Sequence, residues 1–177
     1  MIIDERDCRE SIVKDIAKKM MIAARTAPKT RGSDLVEIKI VDGEDIKHIS
    51  DAMFDLAKNG GLHFLERDAE NILKAQCILL VGVREQTMAL NCGYCGSNTC
   101  SEKPTNVPCT MNAIDVGIAL GSACATASDL RVDTRIMFSV GSVVMRMGIM
   151  GTDCKMVYAI PVSASSKNPF FDRVVKK

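Results

Sequence analysis

Residues 77–109 read CILLVGVREQTMALNCGYCGSNTCSEKPTNVPC, and the two halves of that stretch govern how the rest of the chain is read. The first seven residues form a continuous apolar run whose length and β-branched content predict a buried strand. The second half, Asn91 to Cys109, holds four of the eight cysteines at the spacing C-x2-C-x4-C-x8-C: Cys92, Cys95, Cys100 and Cys109. Four thiolates on one short loop are the ligand set of an iron–sulfur cluster or of a tetrahedral zinc site. Gly93 and Gly96 allow tight turns with positive φ, so that backbone N–H groups face the sulfurs, which suits a cluster. A structural zinc site is usually built from two close cysteine pairs, and Cys100 and Cys109 are too far apart to be one. A [4Fe–4S] cluster is therefore the expected occupant, with zinc and other thiol chemistry as alternatives. Asn91 and Tyr94 would stand around it, tuning hydrogen bonds to sulfur and solvent access, or would be plain loop surface.

The composition narrows what surrounds this loop. A chain of 177 residues is expected to form one α+β domain, with residues 91–109 as an insertion within it. Hydrophobic residues make up 47% and the net charge is +1, which argues against disorder and against a general nucleic-acid surface. Tryptophan is absent and methionine occurs eleven times, so the core is read as aliphatic and Met-rich. The N-terminus MIIDERDCRE is charged from residue 4, which is no secretory signal, and no apolar run is long enough for a membrane span. Eight cysteines without a signal point to a reducing cytoplasm rather than a disulfide scaffold.

Working outward, residues 9–26 place Ile12, Ile16, Met20 and Ala23 or Ala24 at helical spacing, and the helix should stop before Pro28. A polar basic loop follows, then a strand at 35–41. Glu44 to Asn59 is a second amphipathic helix ended by Gly60–Gly61, and 64–75 a third. After the cysteine loop, Met111 to Ser128 is apolar nearly all round, predicting a buried helix packed closely through Gly117 and Gly121. Asp129, Arg131, Asp133 and Arg135 are read as a salt-bridged junction before a helix at Arg135–Gly148. Residues 155–162 are a last strand and SASSKNPFFDRVVKK a tail whose two phenylalanines need a burial site. About five helices therefore flank a small buried sheet of some three strands, an α+β layered fold.

The strings AARTAPKTRGSD, NCGYCGSNTC, IALGSA and SSKNPFFDR resemble the small uncharacterised prokaryotic proteins described as containing a ferredoxin domain, over residues 20–173. That resemblance implies an iron–sulfur cluster. A fainter one is to the FMN-dependent nitroreductase-like fold, whose helix–strand order is similar. It implies a flavin phosphate held by Arg25 and Lys29, a polar partner at Asp68 or Asn71, and a basic C-terminal pair at Lys167 and Arg173. It also implies a homodimer. Ala27 stands where that family has serine, and no nitroreductase pattern contains the CGYCGSNTC loop. The ordinary reading of Arg25, Lys29 and Arg31, flanked by Thr26, Thr30 and Ser33, is a solvated basic loop; the alternative is phosphate binding.

Cys124 is read as core and His48 as surface, while His63 has no partner in sequence with which to build a nucleophilic site. The resulting expectation is a cytoplasmic iron–sulfur redox protein, with FMN as a further cofactor, passing electrons to a small acceptor or a redox partner protein. A non-enzymatic electron carrier and a zinc-stabilised binding module are the competing expectations.

Overall fold

The computed structural model describes residues 1–171. Its centre is an antiparallel sheet of four strands in the order β1-β2-β4-β3: β1 (Val36–Val41), β2 (Cys77–Arg84), β3 (Asp133–Thr134) and β4 (Cys154–Ser163). Five α-helices cover it among the described residues: α1 (Glu5–Thr26), α2 (Gly43–Gly60), α3 (Phe64–Ile72), α4 (Thr110–Asp129) and α5 (Phe138–Arg146). The α+β architecture expected from sequence is the one observed.

The apolar run at 77–83 is buried because β2 lies inside the sheet with helices on both faces. Leu79, Val81 and Val83 join the core made with α1 and α4. Ile78 and Leu80, pointing the other way, join the core made with α2, α3 and α5. Each of these side chains is at most 1% exposed, and each such burial contributes about 1.5–3 kcal/mol. Strand alternation thus divides one run between two cores.

Several elements differ from their sequence reading. Helix α1 begins at Glu5 because Asp4 caps it, accepting from the Arg6 N–H at 2.9 Å, with Glu5 and Asp7 in the favourable first turn. Its inward face is Val13, Ala17, Met20 and Ala24, with Ile16 partly buried beside them; of the expected stripe, Met20 and Ala24 are buried while Ile12 is 49% exposed. Apolar residues on both sides of that stripe leave the phase ambiguous in sequence. Helix α4 buries only one side. Gly117 and Gly121 face open space, flanked by the exposed Ile114 and Ile118, rather than packing against a neighbour.

Among the described residues, Asp129, Arg131 and Asp133 form no ion pair, so the stretch after α4 is not the salt-bridged junction expected. Asp133 and Thr134 pair with Ser163 and Val162 as β3, a strand too short to leave a pattern. Met137 then exchanges backbone hydrogen bonds with Ala159 at 2.8 and 3.1 Å, delaying α5 to Phe138. Arg135 reaches across to Asp68 at 3.6 Å and to the Phe170 carbonyl at 2.8 Å. The Arg135 guanidinium also lies over the Phe171 ring, 5.2 Å from its centroid, while Phe170 is fully buried against α3 and α5.

Two glycines mark close approaches. On β2, Gly82 lies beneath the Cys154 sulfur, and a Cβ there would sit 2.6 Å from it. The register slips opposite this point, leaving an extra residue on β4 with Met156 at φ 49°. On α5, a Cβ at Gly141 would fall 2.0 Å from the Val157 carbonyl oxygen. No helix among the described residues is long and apolar enough to cross a membrane.

Candidate metal centre and the sites expected for flavin

The loop between β2 and α4 carries all four candidate ligands. Its turns are made by positive φ at Ala89, Asn91, Gly93 and Gly96, and the Gly96 N–H closes onto the Gly93 carbonyl at 2.9 Å. Asn91 ties the loop's ends together. Its side-chain oxygen accepts from the Cys100 N–H at 2.8 Å, and its own N–H approaches the Cys100 sulfur at 3.4 Å. Asn91 thus supplies an N–H to sulfur, whereas Tyr94, 70% exposed, stands out in solvent.

Cys92, Cys95, Cys100 and Cys109 all line one void, with Thr87, Lys103 and Thr110 at its rim. Its cavity volume is about 10 Å³. That is room for about one water, so the thiols border a narrow gap whose Cys92 edge meets solvent. Exposure falls across the set: Cys92 is exposed, Cys95 and Cys100 are half-buried, and Cys109 is 8% exposed. Cys109 is also the N-cap residue of α4, so the positive end of a twenty-residue helix stands at the buried side of the void.

Asn112, in the first turn of that helix and 2% exposed, donates to the Gln86 carbonyl at 2.7 Å. Its Oδ1 is buried with no hydrogen-bond partner among the described residues. Also among the described residues, no three His, Cys, Asp or Glu side chains stand close enough together to hold one metal ion.

The cysteines divide by environment. Hydrogen bonds from Ser97, its backbone N–H above all, hold the Cys95 thiol below its usual range. Burial pushes Cys77 up to about 12 and Cys154 up to about 11, and raises Cys124, which is only half-buried in α4. Because thiolate is the reactive form, metal-free protein titrated with iodoacetamide should label Cys95 at lower pH than an ordinary thiol. Cys77 and Cys154 should stay unlabelled through about pH 9 until the protein unfolds. Peptide mapping after short pulses reads this directly, and early labelling of Cys77 would contradict the buried placement of β2.

Of the residues expected around a flavin, Arg25 and Lys29 lie on one side of the sheet and Asp68 and Asn71 on the other within the described chain. Arg25 is bound to Asp34 and donates to the Val36 carbonyl at 2.7 Å. Lys29 donates to the carbonyls of Ala24, Arg25 and Ala27 at 2.6, 2.5 and 2.8 Å, capping the C-terminus of α1. Desolvation lowers its pKa. Asp68 and Asn71 lie on α3, across the sheet from α1. Asp68, 4% exposed, is held by Ser139 at 2.5 Å and Arg67 at 2.7 Å, and Asn71 donates to the Phe170 carbonyl at 3.4 Å. Lys167 lies in the described tail, and Arg173 lies outside the described residues. His48 is exposed as expected; His63 is exposed too, with Nδ1 3.2 Å from Glu66.

Solved structures with this architecture define the class. A BluB-like flavoprotein from Clostridium difficile 630 superposes with a TM-score of 0.60 at 13% identity, over 92% of this chain and 84% of its own. A nitroreductase family protein from Clostridium novyi NT gives 0.58 at 14% identity over 93% and 76%. An oxidoreductase containing FMN gives 0.59 at 16% identity over 87% and 68%. The fold is therefore nitroreductase-like.

The model of the family described as "Uncharacterized protein containing a ferredoxin domain (DUF2148)" matches residues 105–173. That stretch includes Cys109 and leaves out Cys92, Cys95 and Cys100. An uncharacterised protein from Archaeoglobus fulgidus is 41% identical over 187 aligned positions, spanning the whole of both chains. The chain belongs to this family of uncharacterised ferredoxin-domain proteins.

Proposed function

We propose that this protein is an iron–sulfur redox protein whose four-cysteine loop holds a [4Fe–4S] cluster and delivers electrons to a small acceptor or a partner protein. The observation that carries this reading is the convergence of Cys92, Cys95, Cys100 and Cys109 on one void at the N-terminus of α4. The residues present fit such a group: four thiols, two glycine turns, and N–H groups of Asn91 and Ser97 already directed at sulfur. When bound, the cluster supplies one-electron redox chemistry.

The chain's own parts do the rest. The cysteines bind, and the N–H donors and the α4 terminus favour the negative charge that a four-thiolate centre carries. The sheet and α4 shield Cys109, while the exposed Cys92 edge leaves an approach for a donor. A single zinc ion would need its four sulfurs about 3.8 Å apart, given a Zn–S bond of about 2.3 Å. The C-x2-C-x4-C-x8-C spacing, with no second close cysteine pair, is what favours a cluster over a single zinc.

FMN is a second reading, supported by the fold class. A reducing compartment is proposed from the unpaired cysteines, and a homodimer from the outward apolar face of α4.

Anaerobic purification followed by a visible spectrum, with iron, sulfide, zinc and flavin measured on the same sample, tests all of this. About four irons and four sulfides per chain are expected. A colourless protein with one zinc would overturn the redox reading and leave a zinc-stabilised binding module. Flavin without iron would reverse the priority of the two cofactors. Sedimentation of that sample reads the oligomeric state.

A further inference from the structure

The basic segment after α1, a candidate phosphate loop in the sequence, makes its contacts elsewhere. Arg31 has φ 58°, a left-handed conformation disfavoured for a residue of its kind. The surrounding structure enforces it. Asp115, 4% exposed on α4, accepts the Thr30 N–H through both carboxylate oxygens at 3.0 Å and the Thr30 hydroxyl at 2.9 Å. With the loop fixed there, the Arg31 Nη1 donates to the Met88 carbonyl at 3.0 Å. Met88, 5% exposed, lies between the end of β2 and Asn91. Two residues earlier, the Gln86 carbonyl is held by Asn112. The segment leading into the four-cysteine loop is gripped from two directions. Both grips trace to α4, the helix that begins at the last cysteine, through Asn112 and Asp115.

We propose that Arg31 is a positioning residue for the four-cysteine loop. It fixes the path of Met88 to Asn91, and so the placement of Cys92 and Cys100 relative to Cys109. Arg31 is exposed, yet its left-handed backbone is held beside Thr30, which a buried carboxylate fixes, and its guanidinium is spent on the Met88 carbonyl; strain of this kind is retained where the surrounding structure over-determines it. The effect on cluster retention rests on the proposed function above, whereas the bracing of the loop does not.

The test compares wild type with Arg31→Gln, Arg31→Lys and the exposed control Lys18→Gln. In metal-free protein, hydrogen exchange of the amides in 86–100 is measured alongside the unfolding midpoint. In anaerobically purified protein, the loss of visible absorbance under chelator and the midpoint potential are measured. Arg31→Gln is expected to speed exchange in that segment alone, with the unfolding midpoint unchanged. It should also lose its cluster about tenfold faster, the lower end of what a group orienting metal ligands contributes. Its potential should fall as a nearby positive charge is removed. Arg31→Lys should recover part of each effect and Lys18→Gln should match wild type.

Exchange and cluster loss identical to wild type would overturn the proposal. So would an acceleration spread over the whole fold with the midpoint falling in step. If wild type holds no cluster, the proposed function fails, and the exchange data still decide the role of Arg31.

Discussion

Replacing Cys109 by alanine is expected to abolish cluster binding, taking iron from about four per chain to less than about one. Of the four thiols this one is the least replaceable. Cys92, Cys95 and Cys100 sit on the loop itself, outside any helix or strand. Cys109 is fixed at the start of α4, and its carbonyl accepts the Ala113 N–H at 3.2 Å, so no neighbouring group can take its place. Its side chain is small, so the fold should survive, as near-native circular dichroism of the metal-free variant would show. Cys124→Ala, on the same helix but facing the core made with α1, should keep full iron. Full iron in Cys109→Ala would remove the four-thiolate reading.

Gly141→Ala is expected to be the most destabilising single methyl in the described fold. The added carbon would lie 2.0 Å from the Val157 oxygen, 2.5 Å from its carbonyl carbon and 2.7 Å from the Tyr158 Cα. All three are backbone atoms of β4, which is paired on both edges and tied to Met137 at the entry to α5. No side chain is available to swing aside, so α5 must lift off the sheet. Overpacking that rotamers absorb costs about 1–3 kcal/mol; here more than about 3 kcal/mol is expected, a large share of a domain's total of about 5–15 kcal/mol. Urea unfolding measures it. Gly117→Ala is the internal control, since its Cβ meets open space and a helical Gly→Ala change should stabilise by about 0.5–1 kcal/mol. A Gly141→Ala midpoint near that of wild type would mean that α5 does not lie so close to β4.

Elements with a strong hydrophobic period are legible in the sequence itself. The run at 77–83, the helix at 44–59 and the strand at 155–162 fall within a residue or two of their observed bounds, because packing and propensity agree there. The four-cysteine loop is legible for another reason: its spacing is chemical and needs no tertiary context. What escapes the sequence depends on partners distant along the chain. Strand β3 is two residues long and exists only because Ser163 and Val162 lie beside it. The outward face of α4 looks like core in sequence, since glycine and alanine carry little sign of which side is wet. Arg31 reads as one of three basic residues, and nothing in TAPKTRG reveals that Asp115, eighty-five positions on from Thr30, turns it toward Met88. Likewise Asp68 and Asn71 have the right chemistry for a flavin partner, yet the fold places them across the sheet from Arg25 and Lys29.

The fall in exposure from Cys92 to Cys109 bears on the conditions under which the protein can work. A centre in this loop is walled by the sheet and α4 behind and meets the medium in front. Under the proposed redox reading, a partner would reach it without any opening of the fold. Dioxygen uses the same door. If the proposed cluster is held there, the protein's working lifetime would be set less by heat than by the oxidants around it.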